Sequence, residues 1–211
     1  MTNSPKFIIA DTHFEHSNIL TFEPSRAEKM RACGYEDFDA MIIDTWNATV
    51  KEEDHVLHLG DVSFKEGFKR TQNLKGQISL VVGNHDRSKH LRYYKELGWD
   101  VIDSMRLDIP EGEAILKELN NTFSQKALHH KLLACWVMDL NGKRVMFSHF
   151  PVFDNNPYDI KYYGITQILE KIFVRANCEL NIHGHTHSHG AKEPFCKSAC
   201  LERNDFKLLA L

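Results

Sequence analysis

No stretch of the chain approaches the roughly 18 consecutive apolar residues of a membrane-spanning helix. The amino terminus, MTNSPKFIIAD, lacks the charged and then apolar pattern of a secretory signal. A membrane span is therefore not expected, and the expected location is cytoplasmic. An excess of basic charge is missing as well: 26 Lys and Arg stand against 29 Asp and Glu, a formal net charge of -3. Long polyanions are held by clustered Lys and Arg, so duplex binding and a nuclease acting on nucleic-acid polymers are both disfavoured. Cysteine is sparse and unpaired: Cys33, Cys135, Cys178, Cys196 and Cys200 are odd in number and form no CxxC pair. That argues against a disulfide framework or a four-cysteine zinc site and for free, buried thiols. There is no internal repeat, low-complexity tract or linker, so residues 1–211 read as one domain.

What is present is a series of short apolar runs that each end in a polar, chemically capable cluster. They are KFIIADTH at 6–13, HVLHLGDV at 55–62, ISLVVGNHD at 78–86, KRVMFSHFP at 143–151 and ELNIHGHTH at 179–187. Each reads as a buried strand whose carboxyl end delivers Asp, Asn or His into a loop. Helical spacing of apolar residues predicts helices over 35–50, 64–74, 89–97 and 165–176, so strand and helix alternate and the class is α/β. Asn141-Gly142 between CWVMDL and KRVMFS predicts a hairpin, which together with one further strand in the tail makes the sheet mixed. Residues 110–133 depart from the alternation. They form a charged helical insertion with an apolar stripe of Ile115, Leu119, Phe123, Leu128 and Leu132, suited to a cap or an interface.

Histidine is abundant, 13 in 211 residues, and NIHGHTHSHG places one at every second position from His183 to His189. A dinuclear metal site needs oxygen and nitrogen ligands converging from several strand ends, with a carboxylate able to bridge two cations. Asp11-Thr12-His13, Gly60-Asp61, Gly83-Asn84-His85-Asp86, Ser148-His149 and Gly184-His185-Thr186-His187 supply that inventory, each after an apolar run. Taken in this order, D-x-H, G-D, G-N-H-D, a lone His and G-H-x-H, the chain resembles the calcineurin-like metallophosphoesterase superfamily from residue 7 to about 205.

The resemblance implies two packed mixed β-sheets flanked by helices, four layers in all, with the site at the sheets' carboxyl edge. It implies one metal held by Asp11, His13, Asp61 and His187 and a second by Asp61, Asn84, His149 and His185, with Asp61 bridging. His85 would be the general acid, with Asp86 orienting its imidazole, and the nucleophile a hydroxide bridging the metals. The residue types make chemical sense beside the analogy. A carboxylate has two oxygens and a charge to share between cations that repel, and Asn84 adds a neutral carbonyl oxygen. A ligand set of nitrogen and oxygen suits Mn first, then Fe, Zn, Ni or Co, and suits Mg poorly, since Mg prefers oxygen.

Further candidates surround these motifs. Arg26 and Arg87 are possible phosphate clamps, because a guanidinium binds two phosphate oxygens at once, and His16 is a possible substrate contact from the first loop. Tyr158, Tyr162 and Tyr163 can stack a nucleobase or pack the following helix, and His58 reads as a structural strand residue. The expected function is a dinuclear metal-dependent phosphoester hydrolase, a phosphodiesterase on a small or nucleotide-like substrate. The alternatives are a phosphomonoesterase (phosphatase) of the same fold and a non-catalytic metal-binding scaffold. Self-association into a homo-oligomer is open.

Overall fold

The structure, a computed structural model, describes residues 4–154 and 157–211, the side chains of 157–159 excepted. The Tyr158 side chain, a candidate stacking group, lies outside the described residues.

Successive side chains leave a strand on opposite faces, and here both faces find apolar partners. In Phe7–Ile9 (β1), Phe7 and Ile9 enter one hydrophobic cluster and Ile8 another. His55–His58 (β2) divides Val56 from Leu57 in the same way, and Gln77–Val81 (β3) divides Leu80 from Val81. Strands buried on both faces read as nearly unbroken apolar runs, which is why they stand out in the sequence. With Asp100–Ile102 (β4) they form parallel neighbours.

A second sheet runs in the order Met105–Asp108 (β5), Cys135–Leu140 (β6), Lys143–Ser148 (β7), Leu180–His183 (β8) and Cys196–Ser198 (β9). Only the β6–β7 pair is antiparallel. Its turn carries φ of 51° at Asn141 and 78° at Gly142, the left-handed pair that a two-residue hairpin demands. The tail forms two short strands rather than one: after β9 comes a 3-10 turn at Leu201–Arg203, then Leu209–Ala210 (β10), antiparallel to β1.

Ile8, Leu57, Leu59 and Val81 of the first sheet pack against Trp136, Val145, Phe147 and Ile182 of the second. Helices cover the outer faces. Ile19–Phe22 (α1) and Pro24–Ala32 (α2) lead into Phe38–Thr49 (α3), which with Ser88–Glu96 (α4) covers the first sheet through Met41, Ile42, Trp46 and Tyr94. Gly112–Thr122 (α5), Gln125–Leu128 (α6) and Tyr163–Arg175 (α7) cover the second. The result is the four-layer α/β arrangement of two mixed five-stranded sheets between helices.

Three segments differ from expectation for identifiable reasons. The periodicity over 64–74 yields only a 3-10 helix at Gly67–Asn73, because Lys65 adopts left-handed backbone (φ 44°) and a helix cannot run through it from Phe64. Residues 110–133 are not one helix: Ser124, in extended conformation, ends the run and caps the Ala127 amide at 3.3 Å. Ile115, Leu119, Leu128 and Leu132 pack into the outer core of the second sheet, so the segment is a layer of the fold and not a cap over the site. α2 escaped the periodicity because its buried face consists of Arg26 and Ala27; the proline at its first turn was the available signal. No helix among the described residues is long and apolar enough to cross a membrane.

Candidate metal centre

Because β1, β2 and β3 are parallel to one another and β7 is parallel to β8, their carboxyl ends open at one edge, where open α/β sheets place their ligands. The residues just beyond those ends turn sharply. Asp11 (φ 56°), His13 (52°), Asp61 (56°), His185 (69°) and His187 (47°) all adopt left-handed backbone. That conformation costs energy for a residue with a Cβ and is concentrated at functional sites. It lets side chains two residues apart converge where a strand would send both to one face in line.

Each buried aspartate divides its two oxygens. Asp61 Oδ1 accepts the His85 amide at 2.8 Å, leaving Oδ2 at 3.9 Å from His13 Nε2 and 3.6 Å from His149 Nε2. Asp11 Oδ2 accepts the His185 amide at 2.8 Å, leaving Oδ1, without a partner, at 3.5 Å from His13 Nε2 and 3.8 Å from His187 Nε2. Two groups able to hold an ion result, Asp11 with His13 and His187, and Asp11 with Asp61 and His149. Asn84 joins the second through its Oδ1, 2.8 Å from His149 Nε2, and the His185 ring lies 5.1 Å from that of His149.

The protonation states fit a cation. Burial lowers both His13 and His149 to about 3, so their rings are neutral at physiological pH, as a metal ligand must be. Burial, followed by the charge of Asp11, pushes the Asp61 carboxyl well above its usual range. The free oxygen of Asp61 faces the neutral rings of His13 and His149 and has no positively charged partner there, and both ring nitrogens of buried His13 lack a hydrogen-bond partner. Divalent ions would supply both. The imidazoles are also aimed: His149 Nδ1–H donates to the Leu59 carbonyl at 2.8 Å, and His187 Nδ1 is 3.1 Å from Glu202 Oε1, so each ring turns Nε2 toward the carboxylates.

Close approach explains the motif glycines. A Cβ at Gly184 would stand 2.6 Å from Asp11 Oδ2 and 2.9 Å from the Ala10 side chain; one at Gly83 would stand 2.6 Å from the Asp61 nitrogen. Gly184→Ala is expected to destabilise the metal-free protein by on the order of 1–3 kcal/mol through overpacking, measured by urea unfolding. Unchanged stability would mean that the strand end relaxes freely.

Two assigned roles need correction. Asp86 does not orient His85: its Oδ1 accepts the Val62 amide at 3.0 Å, and its Oδ2 accepts those of Asp61 at 2.9 Å and Gly83 at 2.8 Å. It clamps the Gly60-Asp61 turn to the Gly83 turn. Arg26 is no phosphate clamp, being fully buried, with Nε on Glu202 Oε1 at 2.6 Å and its terminal nitrogens on the Asp11 carbonyl at 2.7 Å and the Thr12 carbonyl at 3.2 Å. Glu202 and buried Cys200, whose Sγ–H donates to Asp11 Oδ2 at 3.3 Å, were not anticipated. Both sit in an ordinary-looking tail, and only the Ala10–Cys200 bridge beside β1 brings them to the site.

The other candidates occupy varied positions. The His85 side chain is 50% exposed at the mouth of the site, with Nε2 4.0 Å from Asp61 Oδ2 and its ring 4.9 Å from that of Phe64. Partial burial, then the charge of His16, lowers its pKa. His16 is half-buried, edge-on to Phe64 at 4.1 Å and 5.6 Å from His13. Arg87 is exposed on the loop leading into α4. Tyr162 contacts the His185 ring at 5.7 Å, and Tyr163 is exposed. His58 is structural, buried between Thr12 Oγ1 at 3.0 Å and the Gly60 amide at 3.2 Å. The four alternating histidines separate: His183 closes β8 with its Nδ1–H on the Gly184 carbonyl, His185 and His187 turn toward the site, and His189 is exposed. Lys131, at the end of the 110–133 segment, donates to the Asp86 carbonyl at 2.6 Å and so braces the Asn84-His85 loop.

Two mixed sheets whose carboxyl ends gather buried aspartates and histidines define an α/β protein with a candidate metal site at one edge. The calcineurin-like phosphoesterase superfamily domain matches residues 7–195, and the chain belongs to that superfamily. An uncharacterized protein of Methanocaldococcus jannaschii is 30% identical over 86 residues, 38% of this chain and 46% of that protein. The chain thus spans about half the length of this curated relative. Among solved structures, a protein of unknown function from Aquifex aeolicus has a TM-score of 0.66 at 26% identity, over 97% of this chain and 94% of its own. A novel archaeal phosphodiesterase is more distant, with a TM-score of 0.43 and 14% identity over 92% of this chain and 81% of its own; its likeness carries no argument about substrate.

Proposed function

We propose that the protein is a dinuclear metal-dependent phosphoester hydrolase acting on a phosphodiester of a small or nucleotide-like alcohol, with Mn as the leading metal and Fe, Zn, Ni or Co as alternatives. The carrying observation is Asp61 Oδ2, which lies between His13 Nε2 at 3.9 Å and His149 Nε2 at 3.6 Å while the other oxygen is held by a backbone amide. One carboxylate oxygen flanked by two imidazoles from different strands supports two cations sharing Asp61. Asp11, His13 and His187 would complete one position, and Asn84, His149 and His185 the other. When bound, such ions polarise the phosphate and activate a water.

The chain's own groups do the rest. His85, on the open side of Asp61, is free to turn toward a leaving oxygen and give it a proton from Nε2; half-exposure lets it regain that proton from solvent. Asp86 and Lys131 keep its loop in place through backbone contacts alone. A cavity of about 380 Å³ opens beside His16, lined by Glu15, Ile19, Asp39 and Arg70, and has the size for a small leaving alcohol. A larger cavity of about 580 Å³, near His55, Gln77 and Asp100, lies at the opposite ends of β2, β3 and β4 and takes no part. Arg87 and His16 are the proposed substrate contacts.

The metal-free protein, reloaded in turn with Mn, Fe, Co, Ni and Zn, should hydrolyse bis-p-nitrophenyl phosphate faster than p-nitrophenyl phosphate. The reverse preference would favour the phosphomonoesterase. No hydrolysis of either ester with any metal would leave the scaffold as the surviving reading.

A further inference from the structure

The two halves of the site are braced by different chemistry. On the Asp61–Asn84–His149 side, the ring of His149 is held by a neutral acceptor, the Leu59 carbonyl. On the Asp11–His13–His187 side, the ring of His187 is held by a carboxylate, Glu202, whose side chain is 1% exposed. Glu202 is itself fixed by Arg26 at 2.6 Å, and Arg26 reaches on to the carbonyls of Asp11 and Thr12, the loop that carries Asp11 and His13. Cys200, two residues earlier, donates to Asp11 Oδ2. Asp11, His187 and the loop that carries His13 are therefore tied to a short tail segment at 200–202, which lies beyond the family match ending at residue 195, whereas the His149 ring is braced by the Leu59 carbonyl.

We propose that Glu202 is a positioning residue that makes the Asp11–His13–His187 position the tighter of the two metal positions, acting through His187 and through Arg26. The inference rests on the metal-centre reading above. A carboxylate holds the donor tautomer and orientation of a ligating imidazole more firmly than a carbonyl does, and loss of such a partner costs roughly 10- to 100-fold in metal affinity. Glu23 also approaches His187 and Glu202. A third cation among them is disfavoured, because the Arg26 guanidinium already occupies Glu202 Oε1 and His187 Nδ1 is committed to the same oxygen.

The test is chelator-competition titration of the metal-free protein with Mn²⁺, and separately Zn²⁺, in wild type and Glu202→Gln. Wild type should take up two ions in two unequal steps. Glu202→Gln should weaken the tighter step by about 10- to 100-fold and leave the other nearly unchanged. A His187→Ala background should abolish the effect of Glu202→Gln, and a His149→Ala background should preserve it. Because Glu202→Gln leaves Arg26 buried without its counter-charge, the double variant Arg26→Met with Glu202→Met, which removes both charges together, should reproduce the selective loss in a protein that stays folded by circular dichroism. Equal weakening of both steps, or no weakening in either variant, would overturn the positioning role while leaving the metal centre standing. Absence of any uptake by folded wild type would overturn the metal centre and this inference with it.

Discussion

Asp61→Ala is expected to remove both metals at once and reduce hydrolysis to background, the largest single effect available in this chain. The side chain has two jobs on opposite oxygens: Oδ1 holds the His85 amide at 2.8 Å, and Oδ2 stands between His13 and His149. Asp11 also adjoins His13 and groups with Asp61 and His149, but its Oδ2 is taken by the His185 amide; in the proposed centre the shared oxygen is Asp61 Oδ2, and neither position is complete without it. Enzymes accelerate such reactions by on the order of 10⁶-fold or more, and that whole factor is at stake when both cations are lost. The measurement is metal content by inductively coupled plasma mass spectrometry, beside turnover of the metal-reloaded variant. Asp61→Asn separates ligand loss from misfolding. Burial and the Asp11 charge already push the Asp61 carboxyl well above its usual range, so a neutral amide of the same shape relieves repulsion, and the metal-free variant should unfold at no lower urea concentration than metal-free wild type. A full complement of both metals in Asp61→Ala would rule out the bridging role.

His85→Asn should behave differently, keeping both metals and losing about 10²- to 10⁴-fold in turnover, the range for a positioned general acid. The backbone of residue 85 supports Asp61, and an Asn at that position retains the amide donor. The imidazole itself is half-exposed, with Nε2 4.0 Å from Asp61 Oδ2, and makes no contact that holds Asp11, His149 or His187. Its removal therefore deletes a proton donor and spares the ligand scaffold. The loss should be steep for alkyl leaving groups and shallow for nitrophenolate, which departs without a proton. Equal loss across leaving groups would mean that His85 binds substrate and does not protonate it; loss of metal would mean that it is a ligand.

The difference between Asp61 and His85 also marks how far the sequence could be read. Both sit in short motifs after apolar runs, and both were identified by residue type and order. The strands beneath them were legible because each buries both faces, so that Phe7–Ile9 and Val56–Leu59, interrupted only by buried His58, leave nearly unbroken apolar text before the polar cluster. Asp86 belongs to the same motif as His85, yet its role was misread. Its three backbone donors belong to the loops at 61–62 and 83, and which amides a buried carboxylate collects depends on how two turns lie across each other.

Arg26 and Glu202 show the limit most clearly. An arginine in a polar helix and a glutamate in a tail carry no periodic signal: Arg26 reads as a candidate phosphate clamp and Glu202 as an ordinary tail residue. Together they form a buried pair, 2.6 Å apart and separated by 176 residues in the chain, with one end on the Asp11 carbonyl and the other on His187. The sequence by itself determined the α/β class, the order of the strand ends and the residue types gathered at the candidate metal site, because each of these follows from local periodicity, spacing or the chemistry of short motifs. Only the tertiary structure decided which oxygen of each aspartate is free, which nitrogen of each histidine points inward, and that the tail braces one half of the site. Those depend on hydrogen bonds closed between segments far apart in the chain, and a buried polar group's partner is chosen by the packing that excludes water from it.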